Sequence, residues 1–234
     1  MTLITLPDTV QRRLVFYLAM EEYLSSIAEE EYLHLWQVPP TVIFGRNQVM
    51  DSEVNIPYCE THGIQMYRRK SGGGCVYSDM GNLMISYITP NRSIKVVFTH
   101  YLDMMVGVLS SLGFEAVRSE NNDIMIGGRK VSGNAFCLTP TSSIVHGTML
   151  FDTDIEEMVR AITPSTEKVQ KHGVQSVRQR VINLSELGLS NIDILREQII
   201  NQLCDKRLEL TPEQINEIEI IEQTYLDIQF ITYP

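Results

Sequence analysis

The sequence has few cysteines and no long apolar run. Its four cysteines, Cys59, Cys75, Cys137 and Cys204, lie far apart without a CxxC pair, which predicts neither a disulfide framework nor a zinc site. No stretch approaches the roughly 18 consecutive apolar residues of a membrane-spanning helix. The first residues also lack the basic, apolar and small-residue segments of a signal peptide. We therefore expect reduced thiols, no membrane association and a cytoplasmic location.

Positive charge is also scarce. The chain has 19 Lys and Arg residues against 29 Asp and Glu residues, a formal net charge of -10 at pH 7. A general nucleic-acid binder needs a surplus of basic residues on one face to neutralise phosphates, so no nucleic-acid partner is expected. Basic residues do cluster at residues 68–70 and 129–130. Each cluster fits either a local pocket for an anionic ligand or a group of solvated charges.

The hydrophobic residues are numerous enough for a folded core. They make up 44% of 234 residues, which allows one large domain or two small ones. Apolar spacing predicts helices at residues 14–28, 51–61 (interrupted by Pro57), 96–112, 154–162 and 192–204, and Thr211, Pro212 and Gln214 open another. Strands are predicted at residues 32–38, 41–44, 64–69, 83–89, 114–117, 124–126, 131–138 and 144–151. Strict strand–helix alternation is missing, so we predict an α/β (α+β) fold with mixed, largely antiparallel sheets packed with helices.

A glycine-rich segment, RRKSGGGCVYSDMGN, covers residues 68–82. Three consecutive glycines follow a predicted strand, and glycine lets main-chain N–H groups come close to a ligand. Arg69 beside them has a planar guanidinium suited to a phosphate or carboxylate. No GKS or GKT follows and no helix is predicted there, so the segment is neither a Walker loop nor a dinucleotide-binding fingerprint. Taken alone, it fits an anion-binding loop or a flexible hairpin turn.

Three further segments contain candidate functional residues. NNDIMIGGRKVSGNA includes Lys130, and a lysine near reacting anions stabilises developing negative charge. HGTMLFDTD places His146 before Gly147, and KHGVQSVRQRVINLSEL carries Arg178 and Arg180. From the residues alone, Lys130 also fits an exposed surface position, His146 a structural hydrogen bond, and the two arginines an ordinary basic turn.

The order of these segments resembles the biotin/lipoate protein ligase superfamily, and closely its lipoate-protein ligase A family. RRxSGGGxVxxDxGN is followed by ND and GxKxSGxA, then by HGTxL, and then by SVRxRVxNL. The match runs from FGRN at residues 44–47 to Leu187, which is most of the chain, and the motifs are highly specific as a set. The resemblance implies the biotin/lipoate ligase catalytic-domain fold, with residues 1–234 forming a single catalytic domain.

The resemblance also implies where ligands bind. It places Lys130 at the carboxylate and phosphate oxygens as the catalytic residue, Asp123 beside a Mg²⁺ ion, and His146 with Gly147 in the acyl pocket. The residues implied to bind ATP or the acyl-adenylate are Arg69, Ser71, Gly72, Gly73, Gly74, Cys75, Val76, Tyr77, Asn82, Asn122, Asp123, Lys130, Ser132 and Gly133.

The implied reaction has two steps and uses ATP, Mg²⁺ and lipoate. The lipoate carboxylate attacks the α-phosphate of ATP to give lipoyl-AMP and pyrophosphate, and the amine of an acceptor lysine then attacks the mixed anhydride. The implied acceptors are lipoyl domains of 2-oxoacid dehydrogenases or the glycine-cleavage H protein. Only 88 residues follow His146 (234 minus 146), so we expect the C-terminal accessory domain common in the family to be absent. A separate accessory subunit and the use of preformed lipoyl-AMP both stay open.

Two other functions stay open. An octanoyl- or lipoyl-transferase of the same fold would carry the acyl group on an activated cysteine, but RSENNDIMIGG, just before Lys130, contains none. Cys75 and Cys137 are expected to be packing residues. The other alternative is a non-catalytic acyl- or nucleotide-binding relative, against which the presence of Lys130 speaks. A biotin ligase is disfavoured because the sequence lacks GRGRxGR, and Ser78 departs from the lipoate family, which commonly has a histidine there.

Overall fold

A computed structural model of the chain describes residues 1–120, 122–162 and 180–232. The strands are β1 (Thr2–Thr5), β2 (Tyr32–Trp36), β3 (Thr41–Phe44), β4 (Gln65–Arg68), β5 (Val76–Ser78), β6 (Asn82–Thr89), β7 (Ala116–Arg118), β8 (Asp123–Ile126), β9 (Arg129–Leu138), β10 (Ser143–Leu150) and β11 (Lys206–Glu209). The helices are α1 (Leu14–Ile27), α2 (Met50–Glu53), α3 (Ile56–His62), α4 (Ile94–Ser111), α5 (Ile155–Ile162), α6 (Ile192–Leu203), α7 (Pro212–Leu226) and α8 (Ile228–Thr232), with a 3-10 turn at Ser185–Leu187.

The strands form two sheets. The large sheet has the order β11-β1-β2-β6-β10-β9-β8-β7, and the small sheet has the order β4-β3-β5. Strand β1 runs parallel to β2 and β11, and β3 runs parallel to β4, whereas the other pairs are antiparallel. The prediction of mixed, largely antiparallel sheets packed with helices is therefore confirmed.

The large sheet buries both faces. Side chains alternate across a strand, so Leu33 and Leu35 of β2 pack with α4 and α6, whereas Tyr32 and Trp36 pack with α1 and α7. Helix α1 packs between the large sheet and α7, and Ile43 of the small sheet joins the same core. A helix covered on two sides must be apolar on most of its surface, and eleven of the fourteen residues of α1 are buried.

Most predicted elements lie where the sequence placed them, with a few differences. The helix predicted at residues 51–61 is two short helices, α2 and α3. Pro57 lies in the first turn of α3 and not at the break between them. The missing N–H of a proline costs nothing in a first turn, because N–H groups there have no partner within the helix. Strands β1 and β11 and the short helix α8 were not predicted. The capping box of Thr211 and Gln214 is confirmed. Among the residues that the structure describes, no helix is long and apolar enough to cross a membrane.

Burial of His34 in β2 makes stability depend on pH. Its Nδ1 bonds to the carbonyl oxygen of Ile4 at 2.8 Å, and burial lowers its pKa from 6.5 to about 4. The unfolded chain then binds a proton that the folded chain excludes, so stability is full above pH 6.5 and falls as the pH drops toward 4. We expect His34→Gln to reduce this acid-induced loss by about 3 kcal/mol, measured by urea unfolding at pH 7 and pH 4. Equal losses in both proteins would contradict the prediction.

Candidate active site

Two cavities lie on the α1 side of the large sheet. The first, called here the lysine cavity, has a volume of about 420 Å³ and includes Lys130 in its wall. The second, the serine cavity, has a volume of about 450 Å³ and includes Ser71. Leu18, Arg69 and His146 line both. Residues from α1, both sheets and the glycine-rich segment therefore meet at one place.

Most of the residues predicted for the site line the lysine cavity. They come from all but the last of the quoted motifs, and they are Arg69, Gly73, Gly74, Cys75, Val76, Asn122, Asp123, Lys130, Gly133, His146 and Gly147. The last motif reaches Lys130 through the main chain, because Ile182 donates its N–H to the Lys130 carbonyl oxygen at 3.0 Å. Arg178 lies outside the described residues.

Buried arginines hold the glycine-rich segment in place. The guanidinium of Arg69 donates to the carbonyl oxygens of Gly72 (2.8 and 3.0 Å), Gly74 (2.6 Å) and Ile43 (3.3 Å). Arg68 donates to five carbonyl oxygens of residues 45–48 and 230–231. The two side chains are buried, so they are not solvated charges. Burial lowers the pKa of Arg69 to about 10, still well above neutral pH, so it remains a cation beside the cavity.

Lys130 lies in an ion pair at the mouth of the lysine cavity. Its Nζ is 2.9 Å from Oδ1 of Asp123. The side chain of Lys130 crosses Gly133, where an added Cβ would be 2.7 Å from Nζ. Gly133 thus leaves the space that the lysine occupies. A partly exposed cation beside a single carboxylate can turn toward a second anion in the cavity.

The turn before Asp123 is held by a side chain that was not predicted. Asn122 has a φ of +66° and is the only described residue besides glycines with a positive φ. Nδ2 of Asn134 donates to the Asn122 carbonyl oxygen at 3.0 Å. An added Cβ at Gly147 would lie 2.2 Å from Oδ1 of Asn134. The glycine of the HGT motif therefore makes room for the asparagine that fixes the ND turn.

A chain of hydrogen bonds links residues of the two cavities. Ser71 Oγ lies 2.9 Å from Nε2 of His146, and Nδ1 of the same ring lies 2.9 Å from Oε2 of Glu21. Oε1 of Glu21 accepts from Ser86 Oγ at 2.5 Å, and Ser86 in turn accepts from the indole N–H of Trp36 at 2.9 Å. The carboxylate of Glu21 is buried but fully engaged, which is what a buried charge needs. The chain fixes the orientation of His146.

Four predicted residues line neither cavity. The carbonyl oxygen of Gly72 accepts a hydrogen bond from Arg69, and Tyr77 packs in the core beneath the small sheet. Asn82 is fully buried, and both polar atoms of its side chain lack a hydrogen-bond partner. Ser132 is buried and bonds to Asn134. The structure therefore does not bring these four together with the other predicted residues at a cavity wall.

Sequence reasoning also missed residues that close the apolar end of the lysine cavity. Leu18, Trp36, Ile43 and Met84 form that end, and they lie outside the motifs. Glu21 was missed as well, although a carboxylate in the largely apolar helix α1 was a usable signal. Apolar residues at strand and helix spacing predict a core rather than a pocket, so the other four had no signal of their own.

The thiols near the site are not activated. Burial raises the pKa of Cys75 to about 12 and also raises that of Cys137. Thiols with such pKa values are protonated near neutral pH and are poor nucleophiles. The expectation that both cysteines are packing residues gains support from this environment.

Carboxylates are sparse around the lysine cavity. Within the described ranges, no group of three or more His, Cys, Asp or Glu side chains is arranged to hold a metal ion. Asp123 alone reaches the mouth. One carboxylate fits Mg²⁺ when most of its ligands come from substrate phosphates and water. A single carboxylate does not fit a metal ion whose ligands all come from the protein.

Comparisons with known proteins agree with this architecture. A family model described as lipoyl protein ligase A/B catalytic domain matches residues 14–206. Lipoate-protein ligase LplJ of Bacillus subtilis is 40% identical over 172 residues, covering 72% of this chain and 52% of that protein. The chain thus spans about half the length of the curated relatives it matches.

Two solved structures share the fold. A bi-partite lipoate protein ligase from Thermoplasma acidophilum, described with its E2 lipoyl domain, has a TM-score of 0.89 at 24% identity and covers 99% of this chain and 95% of its own. A lipoate-protein ligase A bound with ATP has a TM-score of 0.85 at 24% identity and covers 98% and 97%. At this identity the likeness establishes the fold. Because the family model matches most of the chain, the chain belongs to the lipoyl protein ligase A/B catalytic domain family.

Proposed function

We propose that the chain is a lipoate-protein ligase that forms lipoyl-AMP from ATP and lipoate and transfers the lipoyl group to a protein lysine. The observation that carries this proposal is the lysine cavity, which joins an apolar end at Leu18, Trp36 and Met84 to a polar mouth at Asp123 and Lys130. An apolar acyl chain with a carboxylate head matches that polarity. The relative LplJ is itself a lipoate-protein ligase, which supports the same function.

Each step of the reaction has a charge that the site can stabilise. In the first, a lipoate carboxylate oxygen bonds to the α-phosphorus of ATP, the bond to the bridging oxygen breaks, and pyrophosphate leaves. In the second, the lysine nitrogen bonds to the acyl carbon, AMP leaves with the anhydride oxygen, and the amine loses a proton. Lys130 faces the oxygens on which negative charge grows, and electrostatic stabilisation of this kind often contributes more to catalysis than any other effect.

The other residues bind and orient the substrates. Arg69 supplies positive charge beside the nucleotide, and its hydrogen bonds to the Gly72 and Gly74 carbonyl oxygens fix the shape of the glycine-rich segment. His146, fixed by Glu21, lines the acyl end. When bound with ATP, a Mg²⁺ ion would neutralise phosphate charge, and Asp123 is the described carboxylate placed to hold it.

The acceptors we propose are lipoyl domains, of 2-oxoacid dehydrogenases or of the glycine-cleavage system. The Thermoplasma acidophilum ligase of the same fold is described with an E2 lipoyl domain, which supports this class of partner. That ligase is also described as bi-partite. We therefore propose that residues 1–234 act as one catalytic domain, with any further protein component needed for adenylation rather than for transfer.

The test is acyl transfer by the purified chain. It is incubated with ATP, Mg²⁺, lipoate and a lipoyl domain, and the acceptor mass is measured; parallel samples contain synthetic lipoyl-AMP or an octanoylated donor protein. Modification from ATP and lipoate, or from lipoyl-AMP, supports the ligase. Modification only from the octanoylated donor would contradict it and indicate a transferase. No modification from any donor would indicate a non-catalytic relative.

Cysteine variants of the chain test whether acyl transfer passes through a thioester on the enzyme. Because neither Cys75 nor Cys137 is activated, we expect Cys75→Ser and Cys137→Ser to keep transfer rates within about twofold of wild type. Cys59→Ser, in the core away from the cavities, serves as the control for loss of a buried thiol. Loss of transfer in Cys75→Ser or Cys137→Ser alone would revive a thioester route.

A further inference from the structure

The hydroxyl group of Ser71 has no part in the ligation proposed above. Ser71 lines the serine cavity but not the lysine cavity, in which that reaction is proposed to take place. Its Oγ nonetheless lies 2.9 Å from Nε2 of His146, which lines both cavities. A hydroxyl group held this close to an imidazole at a cavity wall is a candidate nucleophile.

The hydrogen bonds behind His146 have a fixed direction. The indole N–H of Trp36 only donates, and it donates to Ser86 Oγ, so the Ser86 hydroxyl donates its own proton to Oε1 of Glu21. An ionised carboxylate only accepts, so the single proton of a neutral His146 ring lies on Nδ1, toward Oε2 of Glu21. Nε2 then has a free lone pair and accepts the hydroxyl proton of Ser71. Glu21 therefore selects the tautomer in which His146 acts as a base toward Ser71.

Ser71, His146 and Glu21 are thus arranged as a nucleophile, a base and an orienting carboxylate. The two hydrogen bonds that join them are both 2.9 Å long, within the range that proton transfer between such groups requires. Glu21 is buried, and its second oxygen is held by Ser86, so the ring that it orients is fixed. A serine triad is recognised by this geometry and not by the order of its residues in the chain.

The serine cavity also has a cation for the charge that such a nucleophile creates. Of the basic side chains in its wall, Lys70 is paired, because its Nζ lies 2.7 Å from Oε2 of Glu22. Arg69 donates to carbonyl oxygens, and no carboxylate among the described residues forms an ion pair with it. Attack on an acyl carbon places negative charge on the acyl oxygen, and a cation at the same wall stabilises that charge.

The remaining lining of the serine cavity indicates which acyl compounds fit. Leu18, Ile144 and Tyr225 contribute apolar surface, and the volume of about 450 Å³ is that of a small-molecule pocket. An ester group is uncharged, so it enters an apolar cavity at a lower cost in desolvation than a free carboxylate does. The cavity therefore favours an ester with an apolar acyl chain.

We propose that the serine cavity is a second active site, in which Ser71 and His146 hydrolyse esters of apolar carboxylic acids. Ser71 Oγ bonds to the acyl carbon while its proton passes to Nε2 of His146, and the alcohol leaves with that proton. A water molecule then bonds to the acyl carbon, its proton passes through Nε2 back to Ser71 Oγ, and the acid leaves. Glu21 is the positioning residue, because it orients the ring and stabilises its protonated form in each step. The reaction consumes only ester and water, so it is independent of the proposed function.

The test measures hydrolysis of p-nitrophenyl octanoate by the full chain without ATP. We expect Ser71→Ala to lower kcat roughly 100-fold or more. Glu21→Gln keeps the shape of the side chain but lets an amide donate to the ring, which favours the wrong tautomer, so kcat should fall similarly with little change in KM. Ser26→Ala is the matched control, because Ser26 lines the same cavity and donates to the Tyr23 carbonyl oxygen instead of to a histidine. It should keep the wild-type rate.

A second measurement does not depend on whether the variants fold. The wild-type chain is treated with an alkyl fluorophosphonate, which reacts with activated serines, and the modified peptide is identified by mass spectrometry. We expect a single adduct on Ser71 and loss of ester hydrolysis in proportion to it. Hydrolysis that persists in Ser71→Ala, an equal loss in Ser26→Ala, or an adduct on another residue would overturn the proposal. A chain that transfers lipoyl groups but neither hydrolyses the ester nor forms the adduct would also overturn it, while leaving the ligase intact.

Discussion

Lys130→Ala should lower acyl transfer by roughly 100-fold or more while leaving the fold intact. The ammonium lies at the cavity mouth, paired with Asp123 at 2.9 Å, where the proposed carboxylate and phosphate oxygens meet. Removing it leaves their negative charge without the nearest cation. Lys130 is about a third exposed, so its loss opens no core cavity. Single-turnover transfer from lipoyl-AMP and lipoyl-AMP formation from ATP measure the two steps separately.

Arg129→Ala is the matched control, because Arg129 is the neighbouring cation in β9 and lines neither cavity. It should keep both rates near the wild-type values. A Lys130→Ala protein with an unchanged unfolding transition and normal turnover would exclude the proposed role. Lys130→Arg keeps the charge but changes the shape of the donor, and we expect partial activity.

The motifs predicted most of the residues that line the lysine cavity because the turns around it depend on local sequence. At Gly73, Gly133 and Gly147 a neighbouring side chain occupies the space that a Cβ would need. Only glycine fits at such positions, so glycines appear at fixed spacing in the sequence. Lys130 follows the turn that needs two glycines with positive φ, Gly127 and Gly128. The resemblance to the lipoate-protein ligase A family then indicated which ligands these residues are expected to bind.

The contacts of the site that could not be predicted from the sequence depend on long-range packing. Glu21 meets His146 across 125 positions of the chain, and no local pattern specifies that meeting. Asn134 stands inside a motif, but its role emerges only when Gly147 of the next strand lies beside it. Membership of a motif assigns Asn82 to the site, whereas the structure buries it at the start of β6. A shared motif is therefore better evidence that a chain belongs to a family than that each residue of the motif contacts a ligand.

The fold was predicted best where hydrophobic periodicity is strong. Helix α1 and strand β3 lie at the predicted residues because buried elements have clear apolar patterns. Strand β11 is exposed at all four residues and pairs in parallel with β1 from the other end of the chain. Strands held mainly by main-chain pairing over such a distance give no periodic signal.

Gly45→Ala should disable the site by a steric route. A Cβ at position 45 would lie 2.2 Å from the carbonyl oxygen of Gly73, which is main chain and cannot turn aside. Arg46 also donates its N–H to the Ser71 carbonyl oxygen at 2.9 Å, so a shift at Gly45 moves the glycine-rich segment. We expect kcat/KM for lipoate and ATP to fall roughly 100-fold and the free energy of unfolding to fall by roughly 1–3 kcal/mol.

Gly72→Ala provides the comparison, because a Cβ added at Gly72 would have no heavy atom within 4 Å and the φ of Gly72 is not positive. The same substitution in the same segment should therefore leave stability and activity close to wild type. Substrate titrations of both variants, with urea unfolding, separate loop displacement from loss of fold. If Gly45→Ala binds both substrates as tightly as wild type, the close approach of Gly45 and Gly73 has no part in holding the site. If Gly72→Ala is equally impaired, the segment needs flexibility rather than the space that Gly45 provides.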